Sequence, residues 1–122
     1  MNGGDHMENE DCIFCKIIKK QIPCETIYED DKVLGFMDIS PEAPVHVVII
    51  PKEHIADLNC LKQEESEIIG HIFIVAKKIA KTLESAESGY RIVTNCGEDG
   101  GQSVQHLHFH LLGGRSLKWP PG

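Results

Sequence analysis

Basic residues are scarce in this chain: 12 lysines and arginines stand against 19 aspartates and glutamates, a formal net charge of −7. Such a surface repels phosphate backbones and anionic bilayers, so neither a nucleic-acid polymer nor a membrane is expected as a partner. A small anionic ligand stays compatible, because a pocket can be locally positive in an acidic protein. Long apolar runs are also missing, and none approaches the ~20 residues of a membrane span. The first residues lack the basic-then-apolar pattern of a secretory signal. Residues 1–10 read as a disordered leader outside the fold. The five cysteines are an odd number without dense spacing, which fits a reducing, cytoplasmic setting better than a disulfide scaffold.

What is present fits one domain of 122 residues, 41% hydrophobic and 25% charged, the balance of an ordinary globular protein. The folded sequence is expected to begin at residues 11–15 and to lead into a short N-terminal helical turn through Ile17 and Ile18, which Ile22-Pro23 ends. Thr26-Ile27-Tyr28 and residues 33–37 flank the turn 29–32 as a β-hairpin. His46-Val47-Val48-Ile49-Ile50 is a β-branched strand closed by Pro51, and 90–94 is a further strand. Over residues 63–83, Ile68, Ile72, Val75, Ile79 and Leu83 recur at helical spacing, which predicts one long helix with a buried face. The order predicts an α+β domain built on a mainly antiparallel sheet of about five strands.

The chemistry is concentrated in residues 105–112, where His106, His108 and His110 alternate with Leu107, Phe109 and Leu111. Successive side chains of a strand point to opposite faces, so the three imidazoles share one face, ~7 Å apart, and the apolar residues share the other. A strand whose solvent face merely happens to carry histidine is the bland alternative; three in register favour a chemical role. The Gly-rich loop 97–103 precedes this strand, and Gly100-Gly101 lets backbone N–H groups approach a phosphate closely, although a Gly-Gly pair is often a plain turn. Asp38 at a strand end is either an acceptor for ribose hydroxyls or a cap before Ser40-Pro41. Cys12-x-x-Cys15 can offer two thiolates to a zinc that needs two further ligands; a redox pair or two small buried residues are the other readings. Cys24, Cys60 and Cys96 have no site spacing, and His71 reads as a surface or boundary residue.

These residues carry a resemblance. The run His106-Leu107-His108-Phe109-His110-Leu111-Leu112 resembles the histidine triad (HIT) motif. Cys12-Ile13-Phe14-Cys15, Phe36-Met37-Asp38-Ile39-Ser40-Pro41, Val48-Ile49-Ile50-Pro51-Lys52-Glu53-His54, Asn95, Gly100-Gly101-Gln102-Ser103 and Trp119-Pro120-Pro121-Gly122 are similar to the Hint branch. The resemblance spans residues 11–122. It implies a HIT-like domain with a C-terminal substrate-specificity tail, and a homodimer whose two sheets join. It also implies hydrolysis of purine nucleoside phosphoramidates through a nucleotidyl-histidine.

By the same resemblance His108 is the nucleophile, His110 and Ser103 lie at the phosphate, and His46 assists proton transfer. Asp38 meets the sugar, Asn95 bonds the sugar or Ser103, and Gly101 joins the phosphate loop. Phe14, Ile17, Ile22, Ile27, Phe36 and Ile39 form the apolar base pocket. Zinc-bearing relatives use the positions of Cys12, Cys15, His54 and His106, and many active relatives lack both cysteines, so any zinc is expected to be structural. Two other classes of function compete: a zinc-stabilised nucleotide- or partner-binding module with little turnover, and a hydrolase whose three histidines hold a catalytic metal. Within the family, a dinucleoside polyphosphate hydrolase is the neighbouring possibility. His110, where transferase relatives carry glutamine, favours water as acceptor.

Overall fold

A computed structural model of the chain describes residues 10–122; the expected leader over 1–10 therefore lies outside the described residues apart from Glu10. The elements are α1 (Ile13–Ile18), β1 (Thr26–Glu29), β2 (Val33–Met37), β3 (Val45–Pro51), α2 (Ser66–Thr82), β4 (Tyr90–Val93) and β5 (Phe109–Gly113). The five strands form one antiparallel sheet in the order β1-β2-β3-β5-β4. It is the α+β class expected from the element order. No described helix is long and apolar enough to cross a membrane.

Period-two alternation divides the core between the two faces of the sheet. Val33, Val47, Ile49, Leu107, Phe109 and Leu111 face α2, where Ile72, Val75, Ala76 and Ile79 bury its apolar stripe. A fully buried isoleucine in such a stripe contributes about 1.5–3 kcal/mol by transfer from water. Leu34, Phe36, Val48 and Ile50 face the other way, onto Phe14, Cys15 and Ile17 of α1. The six-residue α1 is too short to persist alone, and three of its residues are buried on the sheet. The sheet thus has a structural face under α2 and a second face, under α1, which carries the histidines.

Two boundaries differ from the sequence expectation. Residues 63–65 form a separate 3₁₀ turn, and α2 begins at Ser66; Lys62 N–H donates to the Glu65 carboxylate at 2.7 Å, which ends the preceding loop there. The histidine strand is also shorter than expected. It starts at Phe109, leaving His106 and His108 ahead of it. The reason is a lack of ladder partners: β3 ends at Pro51, which has no N–H, and the last β3–β5 pair is Ile49 with Phe109. Leu107 N–H bonds the Ile55 carbonyl instead, at 2.6 Å. Thr94 Oγ1 donates to the His108 carbonyl at 2.7 Å. The alternation of faces persists through this irregular stretch, because Leu107 still enters the α2-side core.

Candidate active site and metal cluster

The Cys12-x-x-Cys15 spacing lies on the first turn of α1, where residues three apart share a face. Cys12 caps that helix, and its Sγ receives the Cys15 N–H at 3.4 Å. Across from it, His54 and His106 bring their Nδ1 atoms to 3.1 Å of each other. Cys12 Sγ lies 3.4 Å and Cys15 Sγ 3.6 Å from His106 Nδ1, and Cys15 Sγ lies 3.3 Å from His54 Nδ1. All four residues are buried, with one ligand atom each inside a 4.8 Å cluster. The chemistry fits zinc. His106 Nε2 donates to the Pro51 carbonyl at 2.9 Å, so Nδ1 is the bare nitrogen and is aimed at both sulfurs. Such an outer hydrogen bond is what a metal-bound histidine uses to fix its tautomer. Cys12, Cys15, His54 and His106 thus form a Cys2His2 cluster able to hold a structural zinc.

His106 serves the neighbouring residue by its backbone. Its carbonyl accepts from His108 Nδ1 at 2.7 Å. A hydrogen on Nδ1 leaves the lone pair on Nε2, which has no partner among the described residues. Phe14 covers the edge of this ring, centroid to centroid 5.1 Å, and stands 5.9 Å from His106. Burial holds the His108 pKa below the ordinary histidine value, against the opposing influence of the His106 carbonyl and Asp38. The ring is therefore neutral at neutral pH, as a nucleophilic imidazole must be.

A second tautomer chain runs through His46 and His110. Val48 pairs with His110 and His46 with Leu112, which makes the two histidines diagonal neighbours on one face. The Glu42 N–H donates to His46 Nδ1 at 3.0 Å, so His46 carries its hydrogen on Nε2. That Nε2 lies 2.9 Å from His110 Nδ1, which must then accept, leaving the His110 hydrogen on Nε2. Asp38 Oδ2 lies 3.3 Å from the same His46 Nε2. Burial first, then repulsion from His108 and His46, pushes the His110 pKa down to about 4. The site thus pairs a bare nitrogen on His108 with a donor on His110, their rings 5.2 Å apart, closer than ideal strand spacing. Asp38, His46 and His110 also bring three potential ligand atoms together. The tautomers argue against a metal there, since the His46 nitrogen facing the others already holds a hydrogen.

The remaining expected residues divide. Phe14, Ile17 and Phe36 share a cluster, with Ile22 against it. Ile27 is not brought to them: it packs against the α2-side core instead. Ile39 is 97% exposed beside Asp38, whose Oδ1 receives the Ser40 N–H at 2.8 Å. Asp38 thus combines the turn role with a remaining oxygen that faces His46. Asn95 Nδ2 donates to the Gly100 carbonyl at 2.7 Å rather than to Ser103. The Gly101 N–H is engaged by the Glu98 carbonyl at 3.0 Å, so this glycine, at φ +80°, shapes the turn instead of supplying a phosphate donor. A Cβ on Gly100 would stand 2.3 Å from the Cys96 carbonyl oxygen. Ser103, exposed and without a hydrogen-bond partner among the described residues, keeps its hydroxyl and N–H open to a ligand.

Two participants were not read from the sequence, Thr94 on the His108 carbonyl and Arg115 on Glu42; His71, expected as a surface or boundary residue, is half-buried away from the triad with its Nε2 2.6 Å from Asp30 Oδ2. The first two act through backbone carbonyls, which leave no signature in a sequence. A cavity of about 600 Å³ near the start of α2 is lined by Asp30, Glu64, Glu67 and His71 among others, and contains none of the triad histidines. Its carboxylate-rich wall is unsuited to phosphate.

An open antiparallel sheet with three histidines at alternate positions of one chain segment defines a HIT-type hydrolase scaffold. The chain belongs to the HIT family: the HIT domain matches residues 19–117. It is 52% identical over 114 residues to an uncharacterised HIT-like protein of Synechococcus elongatus, covering 93% of this chain and 99% of that one. A 14 kDa zinc-binding protein of Zea mays is 52% identical over 118 residues, with 95% and 91% covered. The crystal structure of a HIT family hydrolase from Legionella pneumophila superposes with a TM-score of 0.90 at 49% identity, covering 92% of this chain and all of that one.

Proposed function

We propose that the protein is a Hint-branch enzyme that hydrolyses purine nucleoside phosphoramidates through a nucleotidyl intermediate on His108. The observation that carries this reading is the complementary tautomer pair, a lone pair on His108 Nε2 beside a hydrogen on His110 Nε2. The lone pair attacks phosphorus and the P–N bond to the leaving amine breaks. An anionic phosphoryl group entering beside His110 favours the charged imidazolium. The His46–His110 pair therefore takes up a proton with the substrate and gives it to the departing nitrogen. Water then attacks phosphorus, the P–N bond to His108 breaks, and the water proton returns to the same pair. The products are an amine and a nucleoside monophosphate.

Ser103 serves the phosphoryl oxygens, Asp38 the ribose hydroxyls, and the Phe14, Ile17, Ile22 and Phe36 group the purine. Zinc held by Cys12, Cys15, His54 and His106 would be structural, tying α1 to the segment before β5. The name of the maize relative and the fitting ligand set favour this metal. The assembly proposed is a homodimer, and the compartment the cytoplasm. A substrate panel tests the reading: adenosine or guanosine phosphoramidate should be turned over in preference to a diadenosine polyphosphate. Preference for the polyphosphate would move the protein to the neighbouring hydrolase class, and no turnover of either would leave a binding module.

A further inference from the structure

We infer that Arg115 is a positioning residue for this site: its guanidinium clamps the backbone of Glu42, whose N–H sets the His46 tautomer and, through it, the donor on His110. The inference rests on the reaction proposed above for its consequence in turnover, but the linkage itself is a matter of hydrogen bonds. Arg115 Nε and Nη2 both donate to the Glu42 carbonyl oxygen, at 3.1 and 2.8 Å, while Nη1 donates to the Ser116 carbonyl at 3.1 Å. Hydrogen bonds from a charged donor are the stronger kind.

Besides Arg115, the segment 39–44 is held by the buried Ala43 side chain and by few backbone hydrogen bonds. It contains Pro41 and Pro44, which have no N–H to donate, and it forms no helix or strand. The Ser40 N–H is bonded to Asp38 at its start, and the Glu42 N–H is the one that reaches His46. The chain is built to deliver Arg115 to this place. Gly114 adopts φ +86°, and a Cβ there would stand 2.8 Å from the Pro44 side chain. Only glycine lets the residue after β5 turn back this closely over the segment.

The chemical consequence follows from the tautomer chain. If the Glu42 N–H moves away, His46 loses the donor that keeps Nδ1 bare, and only the longer 3.3 Å approach of Asp38 Oδ2 still favours hydrogen on Nε2, so the two tautomers mix. With its hydrogen on Nδ1, His46 presents a lone pair at Nε2, and His110 must turn its own hydrogen inward to Nδ1. His110 Nε2 would then face the phosphoryl group as a lone pair, and the site would lose a donor without losing a side chain. The effect falls on the transition state, where the phosphoryl charge shifts and the amine needs its proton, more than on ground-state binding.

The test combines nitrogen-15 spectra of the imidazoles, which separate protonated from bare ring nitrogens, with steady-state kinetics on adenosine phosphoramidate. In the wild type His46 should show hydrogen on Nε2; in Arg115→Ala the two His46 nitrogens should shift toward each other as the tautomers mix. The kcat of Arg115→Ala should fall about tenfold with KM held within about twofold. Arg115→Lys, which keeps a charged donor without the fork, should recover most of the signature and part of the rate. Arg91→Ala is the control: Arg91 Nη2 holds only the Leu117 and Lys118 carbonyls of the same tail, so it should leave the His46 spectrum unchanged. An unaltered His46 signature in Arg115→Ala, or the same alteration in Arg91→Ala, would overturn the inference. A wild type that cleaves no phosphoramidate, with the signature still dependent on Arg115, would sustain the linkage and sink the proposed reaction.

Discussion

His106 and His108 are joined by a 2.7 Å hydrogen bond from the His108 ring to the His106 carbonyl, while the His106 ring itself faces Cys12 and Cys15. One residue therefore belongs to two structures at once, the metal cluster by its side chain and the catalytic constellation by its backbone. His108 keeps its tautomer whatever the His106 ring does, which separates the structural role of the cluster from the proposed chemistry.

That division gives a metal prediction. Protein purified without chelator should contain one equivalent of zinc per chain by elemental analysis. Cys15→Ser should remove it and lower the melting temperature. The loss should fall mainly on stability, because the His106 carbonyl remains in place. A metal-free wild type of unchanged stability would count against zinc.

The acid side of the stability profile should report His110. Its pKa is pushed down to about 4 in the fold, first by burial and then by His108 and His46, with Asp38 opposing. The unfolded chain takes up that proton near pH 6.5. The native state thus binds fewer protons than the unfolded one in this window, and stability falls as pH drops from about 6.5 toward about 4. His110→Gln, which cannot titrate, should show a shallower fall in chemical denaturation across the same range. Identical slopes would contradict the assignment.

Much of this was legible in the sequence because the signals were periodic. Leu107, Phe109 and Leu111 alternate with histidine, and α2 repeats its apolar residues at helical spacing, so burial on one face followed from geometry. Cys12 and Cys15 are close in sequence and needed only a helical turn to meet. What stayed hidden depends on backbone groups and chain ends. The early start expected for β5 failed because Pro51 ends the partner strand, a tertiary fact. Ile27 is expected in the base pocket only through the family resemblance, yet the local register, with an irregularity between Thr26 and Tyr28, gives it to the opposite core. Arg115 looked like part of a tail, and its role depends on a turn at Gly114 that brings it over Glu42.

A homodimer with a substrate-selecting tail is the expected assembly. Strand β4 lies at the edge of the sheet, and Tyr90, Phe73 and Ile74 are 37%, 46% and 49% exposed, an edge and an apolar face that a second copy would cover. Trp119 is 81% exposed in a segment too short to form a core of its own. Light scattering at micromolar concentration should give the dimer mass, and a monomer would refute it. Removal of residues 119–122 should change the ratio of kcat/KM between adenosine and guanosine phosphoramidates without unfolding the domain; an unchanged ratio would deny the tail its role.

The most direct measurement is to catch the covalent intermediate. The protein is mixed with adenosine phosphoramidate, quenched in alkali where a phosphorus–imidazole bond survives, digested, and mapped by mass spectrometry. The account predicts an adenylyl group on His108 within the first turnover. It also predicts no adduct in His108→Ala, whose kcat falls by more than about a hundredfold, roughly 3 kcal/mol of barrier, while nucleotide affinity is largely kept. An adduct on any other residue, or wild-type turnover with His108 absent, would contradict it.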